Sequence, residues 1–412
     1  MAMTEESQSF DRDYAVRGGD ALLDAWRDGA IAAAERDWQE PACSIAVPVE
    51  VPICLVFASG ETASQLLLAV PVLARALRNV HLAGWTQCAV YAGPGWKPAV
   101  ATAREIARLA PGLRVTYCDC APPAGATLIV NGEELTLPHR LQSAAKGASS
   151  AASRRMLGSP PLTVSAARVL LRQKSRDLLV ETAKPGDGIV TRYLNRPISQ
   201  GLTRLLLRWF GAIDPNLASA GTAVIGLAMF ACLLSYPGST GLILGALLFQ
   251  AASVFDGVDG EIARATFRAT PRGASVDSLV DAATNILFFT GVVINLYSQG
   301  DRLTAATALV ALGGLAFGTV LLGIAARRQH GGIDFNSVKQ LVAPERSRVM
   351  QVLTWLTMRD FYAFAAAVLI VLGLVVPAVW AFAIMVAGWL VVVLFKLAPK
   401  GKAAGYARAT CP

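Results

Sequence analysis

Residues 256–281 read DGVDGEIARATFRATPRGASVDSLVD, and the rest of the chain is best understood outward from them. The stretch sets Asp256, Asp259, Asp277 and Asp281 beside and within strongly apolar sequence. Asp256 and Asp259 are three residues apart and Asp277 and Asp281 four, so on a helix each pair shares one face. Two such helices facing each other would gather four carboxylates. Like charges at that density repel, and the arrangement makes sense around cations. Oxygen ligands converging from rigid helices suit hard divalent ions, Mg²⁺ or Mn²⁺. A pair of such ions is an established way to stabilise displacement at phosphorus. Gly257, Gly260 and Gly273 clear space beside the acids for a bulky ligand or a neighbouring helix. Arg264, eight residues after Asp256, lies near the same helical face and could meet a phosphate oxygen through two parallel hydrogen bonds.

The flanking sequence explains the setting. The chain has 412 residues, 54% of them hydrophobic and only 16% charged. The excess is uneven: the first 200 residues or so have soluble composition, and long apolar runs follow from about residue 217. Runs near 20 residues predict six transmembrane helices, at about 217–236, 240–258, 276–297, 303–326, 360–376 and 378–396. Arg192, Arg196, Arg204 and Arg208 precede the first run. Arg264, Arg268 and Arg272 fall between the second and third. Arg327, Arg328, Lys339, Arg346, Arg348 and Arg359 fall between the fourth and fifth, and Lys396, Lys400, Lys402 and Arg408 lie at the end. The opposite side has short turns with one arginine, so the charge rule puts both termini and the acid cluster in the cytoplasm. The polar, acidic start MAMTEESQSFDRDY gives no expectation of a cleavable signal. A net charge of +8 then reflects membrane orientation and anionic lipid or nucleotide, and no nucleic-acid motif is present. The seven cysteines have no framework spacing and read as reduced thiols. The three histidines, His81, His139 and His330, are too scattered to form a catalytic set.

Asp256, Asp259, Gly260, Ala263, Arg264, Gly273, Asp277 and Asp281 match every fixed position of the signature of the CDP-alcohol phosphotransferases, which this stretch resembles. The resemblance implies a six-helix membrane enzyme that moves a phospho-alcohol from a CDP-alcohol donor to a second alcohol and releases CMP. It implies two divalent ions, Mg²⁺ or Mn²⁺, held by Asp256, Asp259 and Asp277, with Asp281 at the edge of the metal site and acting as the catalytic base. Gly260, Ala263 and Gly273 would give the cytidine room, and Arg264 would neutralise phosphate. In the family a Pro-Asn precedes the first membrane helix and borders the nucleotide, which gives that role to Asn216. Arg268, Arg272, Lys339, Arg346 and Arg359 are candidates for binding a phosphorylated acceptor. The stretches around Lys184–Gly188, Tyr193–Ser199 and Arg359–Phe361 look most like the di-myo-inositol-phosphate-phosphate synthase branch. An inositol phosphate acceptor is therefore favoured, with a lipid acceptor or CDP-diacylglycerol donor, as in phosphatidylinositol-type lipid synthases, the alternative. Family resemblance also suggests a homodimer. Non-enzymatic readings, a cation transporter or a membrane scaffold, fit the arginine beside the cluster and its intact acids less well.

Before the membrane, Leu202, Leu205, Leu206 and Phe210 against Arg204 and Arg208 predict an amphipathic helix along the bilayer surface. Further upstream, strands are expected at 53–57, 88–91, 113–117 and 127–130 and helices at 66–78 and 99–109, an α/β layer domain. Its early part looks like a sugar-nucleotide cytidylyl- or uridylyltransferase. A triphosphate cradle needs glycine-freed backbone amides and positive charge. Phe57-Ala58-Ser59-Gly60-Glu61-Thr62 offers one glycine and an acid, and Asn131-Gly132-Glu133 replaces the metal-binding Gly-Asp, so a degenerate domain is expected. Residues 141–163, rich in Ser, Ala and Gly, read as a linker or irregular edge, with enough alanine to leave some helix possible. The expected organisation is a cytosolic nucleotidyltransferase-like domain at 1–163, a linker and juxtamembrane helix at 164–216, a six-helix transferase domain at 217–397 and a cytosolic tail at 398–412.

Overall fold

The computed structural model describes residues 51–120, 128–148, 155–159, 162–184, 186–330 and 358–397. Contacts divide the chain into two units. One takes in the chain up to Ala63, Leu73–Thr163 and Lys184–Gly186; the other takes in Ser64–Val72, Val164–Ala183 and everything from Asp187 onward.

The first unit is a parallel α/β layer. Its strands are β1 (Ile53–Val56), β4 (Gln87–Tyr91), β5 (Arg114–Tyr117), β6 (Leu128–Asn131) and β7 (Arg155–Leu157), in the order β5-β4-β1-β6-β7. Cys54 pairs with Ala89 on one side and Ile129 on the other, both in parallel register. Every residue of β1 is buried, as a strand covered on both faces must be. Burial pushes the Cys54 thiol up to about 12, so it stays a protonated core residue. The helices are α1 (Gly60–Ser64), α2 (Val72–Leu82), α3 (Val100–Leu109) and α4 (Pro138–Ala148). Much of the expected linker is thus ordered: α4 runs into it, and β7 extends the sheet at its edge.

The helix expected over 66–78 begins late. Leu66–Leu67 (β2) and Val70–Pro71 (β3) form a two-stranded hairpin, and α2 starts only at Val72. The two turn residues, Leu68 and Ala69, have φ of 48° and 63°. Such a turn ordinarily calls for Asn-Gly, and no glycine announces it here. Left-handed geometry costs a non-glycine residue roughly 1–2 kcal/mol. Burying a leucine gains about 1.5–3 kcal/mol. Leu68 is buried in the second unit, in a cluster with Leu179, Leu207, Val258, Ile262 and Ala265, with Ala69 packed beside it, and that burial offsets much of the cost of two left-handed residues, about 2–4 kcal/mol together.

The second unit is a helical bundle. After α5 (Val164–Val180) and a π-turn at Thr191–Asn195 come α6 (Arg196–Phe210), α7 (Pro215–Ser235), α8 (Ser239–Ala265), α9 (Pro271–Ser298) and α10 (Arg302–His330). The bundle ends with α11 (Arg359–Val371) and α12 (Val375–Leu397). α8 packs on α6, α7 and α11, α9 on α7 and α10, and α10 on α12. Close approach is made by glycine: a Cβ on Gly245 or Gly291 would lie within 2.6 Å of the Leu233 side chain. Phe249 stacks on Phe288 at 4.1 Å and Phe289 on Phe382 at 4.1 Å, joining α8, α9 and α12 in one core.

Among the described residues, five helices are long and apolar enough to cross a membrane: Pro215–Ser235, Ser239–Ala265, Pro271–Ser298, Arg302–Leu321 and Val375–Phe395. The chain is therefore read as a multi-pass membrane protein. The expected fifth span is different. α11 has 13 residues, about 20 Å of helix, short of a ~30 Å hydrocarbon core. It stops at Gly373, whose φ of 77° lets the Gly373 and Leu374 amides reach back to Ile370 and Leu369. Pro377 sits in the first turn of α12, where a missing N–H costs nothing.

Candidate active site

The acid-bearing helices are placed by their ends. Asp214 accepts from the Asn216 amide at 3.0 Å and Pro215 opens α7. Thr270 accepts from the Gly273 amide at 3.0 Å and Pro271 opens α9. Both are side-chain N-caps, and both helices begin beside the acid cluster. A Cβ on Gly273 would stand 3.9 Å from Asn216 Oδ1, so these two helix starts meet. α8 ends in a turn where the Arg268 amide donates to Ala263 and the Phe267 amide to Arg264, with Phe267 at φ 56°. The connection back to α9 is thereby kept to a few residues.

Asp256, Asp277 and Asp281 come together, with one carboxylate oxygen from each lying within 4.8 Å of the others. All three remain partly open to solvent. Asp259 sits deeper, 5% exposed, and accepts a hydrogen bond from Ser219 Oγ on α7. The four predicted acids thus form one group, with three grouped at the mouth and Asp259 behind them. Arg359, from the start of α11, reaches into the mouth. It pairs with Asp281 and lies 3.5 Å from Asp256, over the Phe249 ring at 5.8 Å. Its Nε and Nη2 have no protein partner among the described residues. A cation is thus already set among the carboxylates, and the donor set is oxygen only, which fits a hard divalent ion.

The other predicted residues are distributed as follows. Gly260 and Ala263 follow the acids on α8. A Cβ on Gly260 would stand 2.9 Å from Arg264 Nη1, so the glycine makes room for the guanidinium. Arg264 donates through Nε to the Thr182 carbonyl at 2.7 Å, an anchor sequence reasoning did not foresee. Arg268 lies in the α8–α9 turn and Arg272 is exposed at the start of α9. Lys339 and Arg346 lie outside the described residues.

Sequence reasoning missed Ser219, the partner of Asp259, and it missed Glu261. Glu261 is fully buried and accepts from Arg196, Ser199 and Thr203, all on α6. The available signal was an acid inside the apolar end of α8 that no spacing argument used. α6 also turns its faces in an unexpected way. Arg196, Ser199, Thr203 and Leu207 are buried, while Ile198, Leu205, Trp209 and Phe210 are exposed. The inward face mixes this polar stripe with Leu202 and Leu206, and the outward face sets Arg204 and Arg208 beside Leu205, Trp209 and Phe210, as at a lipid surface.

In the first unit, the loop after β1 is closed from within. Glu133 Oε1 accepts from the Ala58 amide at 2.7 Å and from Thr62 Oγ1 at 2.7 Å. A Cβ on Gly60 would fall 2.0 Å from the Trp96 ring.

An oxygen-only acid cluster on two helices of a membrane-length bundle is the frame of a polytopic membrane enzyme. Residues 213–394 match the profile of the CDP-alcohol phosphatidyltransferase family. It is 32% identical over 161 residues to the "Bifunctional IPC transferase and DIPP synthase" of Aquifex aeolicus (strain VF5), covering 39% of this chain and 34% of that protein. Proteins of the same name from Thermococcus kodakarensis and Archaeoglobus fulgidus are 30% identical over 174 residues and 31% over 159. Those matches cover 42% and 38% of this chain, and 37% and 29% of the relatives. The match therefore spans about a third of each relative's length.

Proposed function

We propose that this protein transfers a phospho-alcohol from a CDP-alcohol to a second alcohol, releasing CMP at the cytoplasmic face of the membrane. The observation that carries the reading is the convergence of Asp256, Asp277 and Asp281, with Asp259 behind them, inside the region matched by the family profile. The four acids would hold two divalent ions, Mg²⁺ or Mn²⁺, which when bound draw charge from the donor's diphosphate and make CMP a better leaving group. The protein's own groups do the rest. Ser219 fixes the Asp259 carboxylate. Gly260, Ala263 and Gly273, with Asn216, would border the cytidine. Arg264, anchored on Thr182, and Arg268 would neutralise phosphate charge. Asp281, at the open edge, takes the proton of the attacking hydroxyl.

The acceptor is an inositol phosphate in the favoured reading, as the names of the relatives and the branch resemblance suggest. Arg359 is then its phosphate contact, moving from Asp281 to the acceptor through its unpaired Nε and Nη2. Arg272, Lys339 and Arg346 remain candidates for the same pocket. A CDP-diacylglycerol donor is the alternative. The first unit does not make the CDP-alcohol, because Glu133 occupies the donors that a triphosphate would need. A homodimer in the membrane, with both termini in the cytoplasm, completes the proposal. Purified protein given CDP-inositol or CDP-diacylglycerol with candidate acceptors, and products read by mass spectrometry, tests it. Mg²⁺- or Mn²⁺-dependent CMP release with a phosphodiester product is expected. A full panel with no CMP release would refute the transferase reading.

A further inference from the structure

The buried contact between α6 and α8 lies on the far side of α8 from the acid mouth. Glu261 uses both carboxylate oxygens there: Oε1 accepts from Ser199 Oγ at 2.6 Å and Arg196 Nη1 at 2.9 Å, and Oε2 from Thr203 Oγ1 at 2.7 Å. Arg196 in turn grips Asp187 through Nε at 2.7 Å and Nη2 at 3.2 Å. One turn earlier, a Cβ on Gly257 would stand 3.1 Å from Ser199 Oγ and 3.4 Å from Arg196 Nη1. Further up, Asn195 donates to Ser253 at 3.3 Å and accepts from Gln250 at 2.9 Å. Gln250, Ser253, Gly257 and Glu261 form one stripe along α8 at helical spacing. Glu261 and Gly257 bracket Asp259, and Gly257 follows Asp256 directly. An apolar seam would bury these helices at lower desolvation cost, and would let them slide. A buried carboxylate with three donors sets a single register.

We propose that Glu261 and Arg196 are positioning residues: their buried ion pair clamps the helix before the membrane onto the back of α8 and holds the Asp256–Asp259 turn in metal-binding geometry. This rests on the metal reading above. Arg196 lies before residue 213, where the region matched by the family profile begins. Groups that orient metal ligands typically change metal affinity by about 10–100-fold when removed.

The test is Mn²⁺ titration of the full-length protein in detergent without substrate, with free Mn²⁺ read by electron paramagnetic resonance. Unfolding temperature is measured alongside. Glu261→Gln keeps the side chain's size and loses the ion pair, and its Mn²⁺ affinity is expected to fall by about tenfold or more. Thr203→Val removes one hydrogen bond and is expected to weaken Mn²⁺ binding severalfold in a protein that remains folded. At saturating Mn²⁺ both variants should recover much of the wild-type turnover. If both bind Mn²⁺ within about twofold of wild type, and only the unfolding temperature falls, the clamp is merely structural and the inference fails. Asp256→Asn separates the two readings. If it abolishes Mn²⁺ binding while Glu261→Gln leaves it intact, the inference alone falls. If Asp256→Asn leaves binding unchanged, the metal reading falls and the inference falls with it.

Discussion

Asp256, Asp277 and Asp281 hold like charges within 4.8 Å, and Arg359 is the cation that meets them. At an effective dielectric of about 20, two unit charges at that range repel by roughly 3 kcal/mol, so the mouth is built to take up positive charge. Asp256→Asn, Asp259→Asn and Asp277→Asn are each expected to abolish CMP release in a folded protein. Wild-type turnover in one of them at saturating metal would remove that residue from the site. Asp281→Asn should cut turnover far more than donor affinity, because it acts on the acceptor; equal loss of both would make it chiefly a ligand. Arg359→Met removes the internal competitor, so Mn²⁺ affinity is expected to rise severalfold while the acceptor KM worsens. Weaker Mn²⁺ binding in that variant would count against the competition. In the first unit, burial pushes Glu133 above its ordinary value of 4.5, against the Ala58 and Thr62 hydrogen bonds. Its stabilising effect is complete below 4.5 and is lost as pH rises through the raised native value. The urea midpoint for exposure of the buried Cys54 should therefore fall over that range in the wild type and fall less in Glu133→Gln.

The same acids depend on how their helices start and stop. Asp214-Pro215 and Thr270-Pro271 are cap signals written in the sequence, and they set Asn216 and Gly273 face to face. Losing such a cap costs about 1 kcal/mol. Thr270→Ala is expected to lower stability by that order and to raise the donor KM, since it frees the Gly273 amide. An unchanged KM would separate the cap from the nucleotide site. α6 is a different case. Its alternation of leucine and arginine is legible as an amphipathic helix, but the buried stripe is Arg196, Ser199 and Thr203. No amphipathicity argument assigns a buried arginine, because its burial is tolerable only with Asp187 and Glu261 in place.

Across the molecule, the chain crosses between units in a way local sequence does not announce. Residues 64–72 interrupt the first unit and belong to the second, with Leu68 in its core. A chain beginning at Ala167 would keep every proposed site residue and lose this hairpin. It is expected to retain some transfer activity and to unfold at lower temperature, by the equivalent of about 2–3 kcal/mol for a buried leucine. Leu68→Ala in the full chain should reproduce most of that loss. Full thermal stability in both would show that the hairpin's burial contributes nothing.

The sequence by itself determined the membrane-length helices, the alternating strands and helices upstream, and the acids at 256, 259, 277 and 281. Those are one-dimensional properties: hydropathy over a window, periodicity, and spacing along one helix. The tertiary structure decided what depends on contacts remote in sequence. It set Asp259 apart behind Ser219, brought Arg359 into the mouth from 78 residues beyond Asp281, and sealed the Ala58 loop with Glu133. It also held a glycine-free hairpin in left-handed geometry. In each case the deciding term is burial of a charge, or of a strained turn, against a particular partner. A residue's own neighbours in the chain carry no record of that partner.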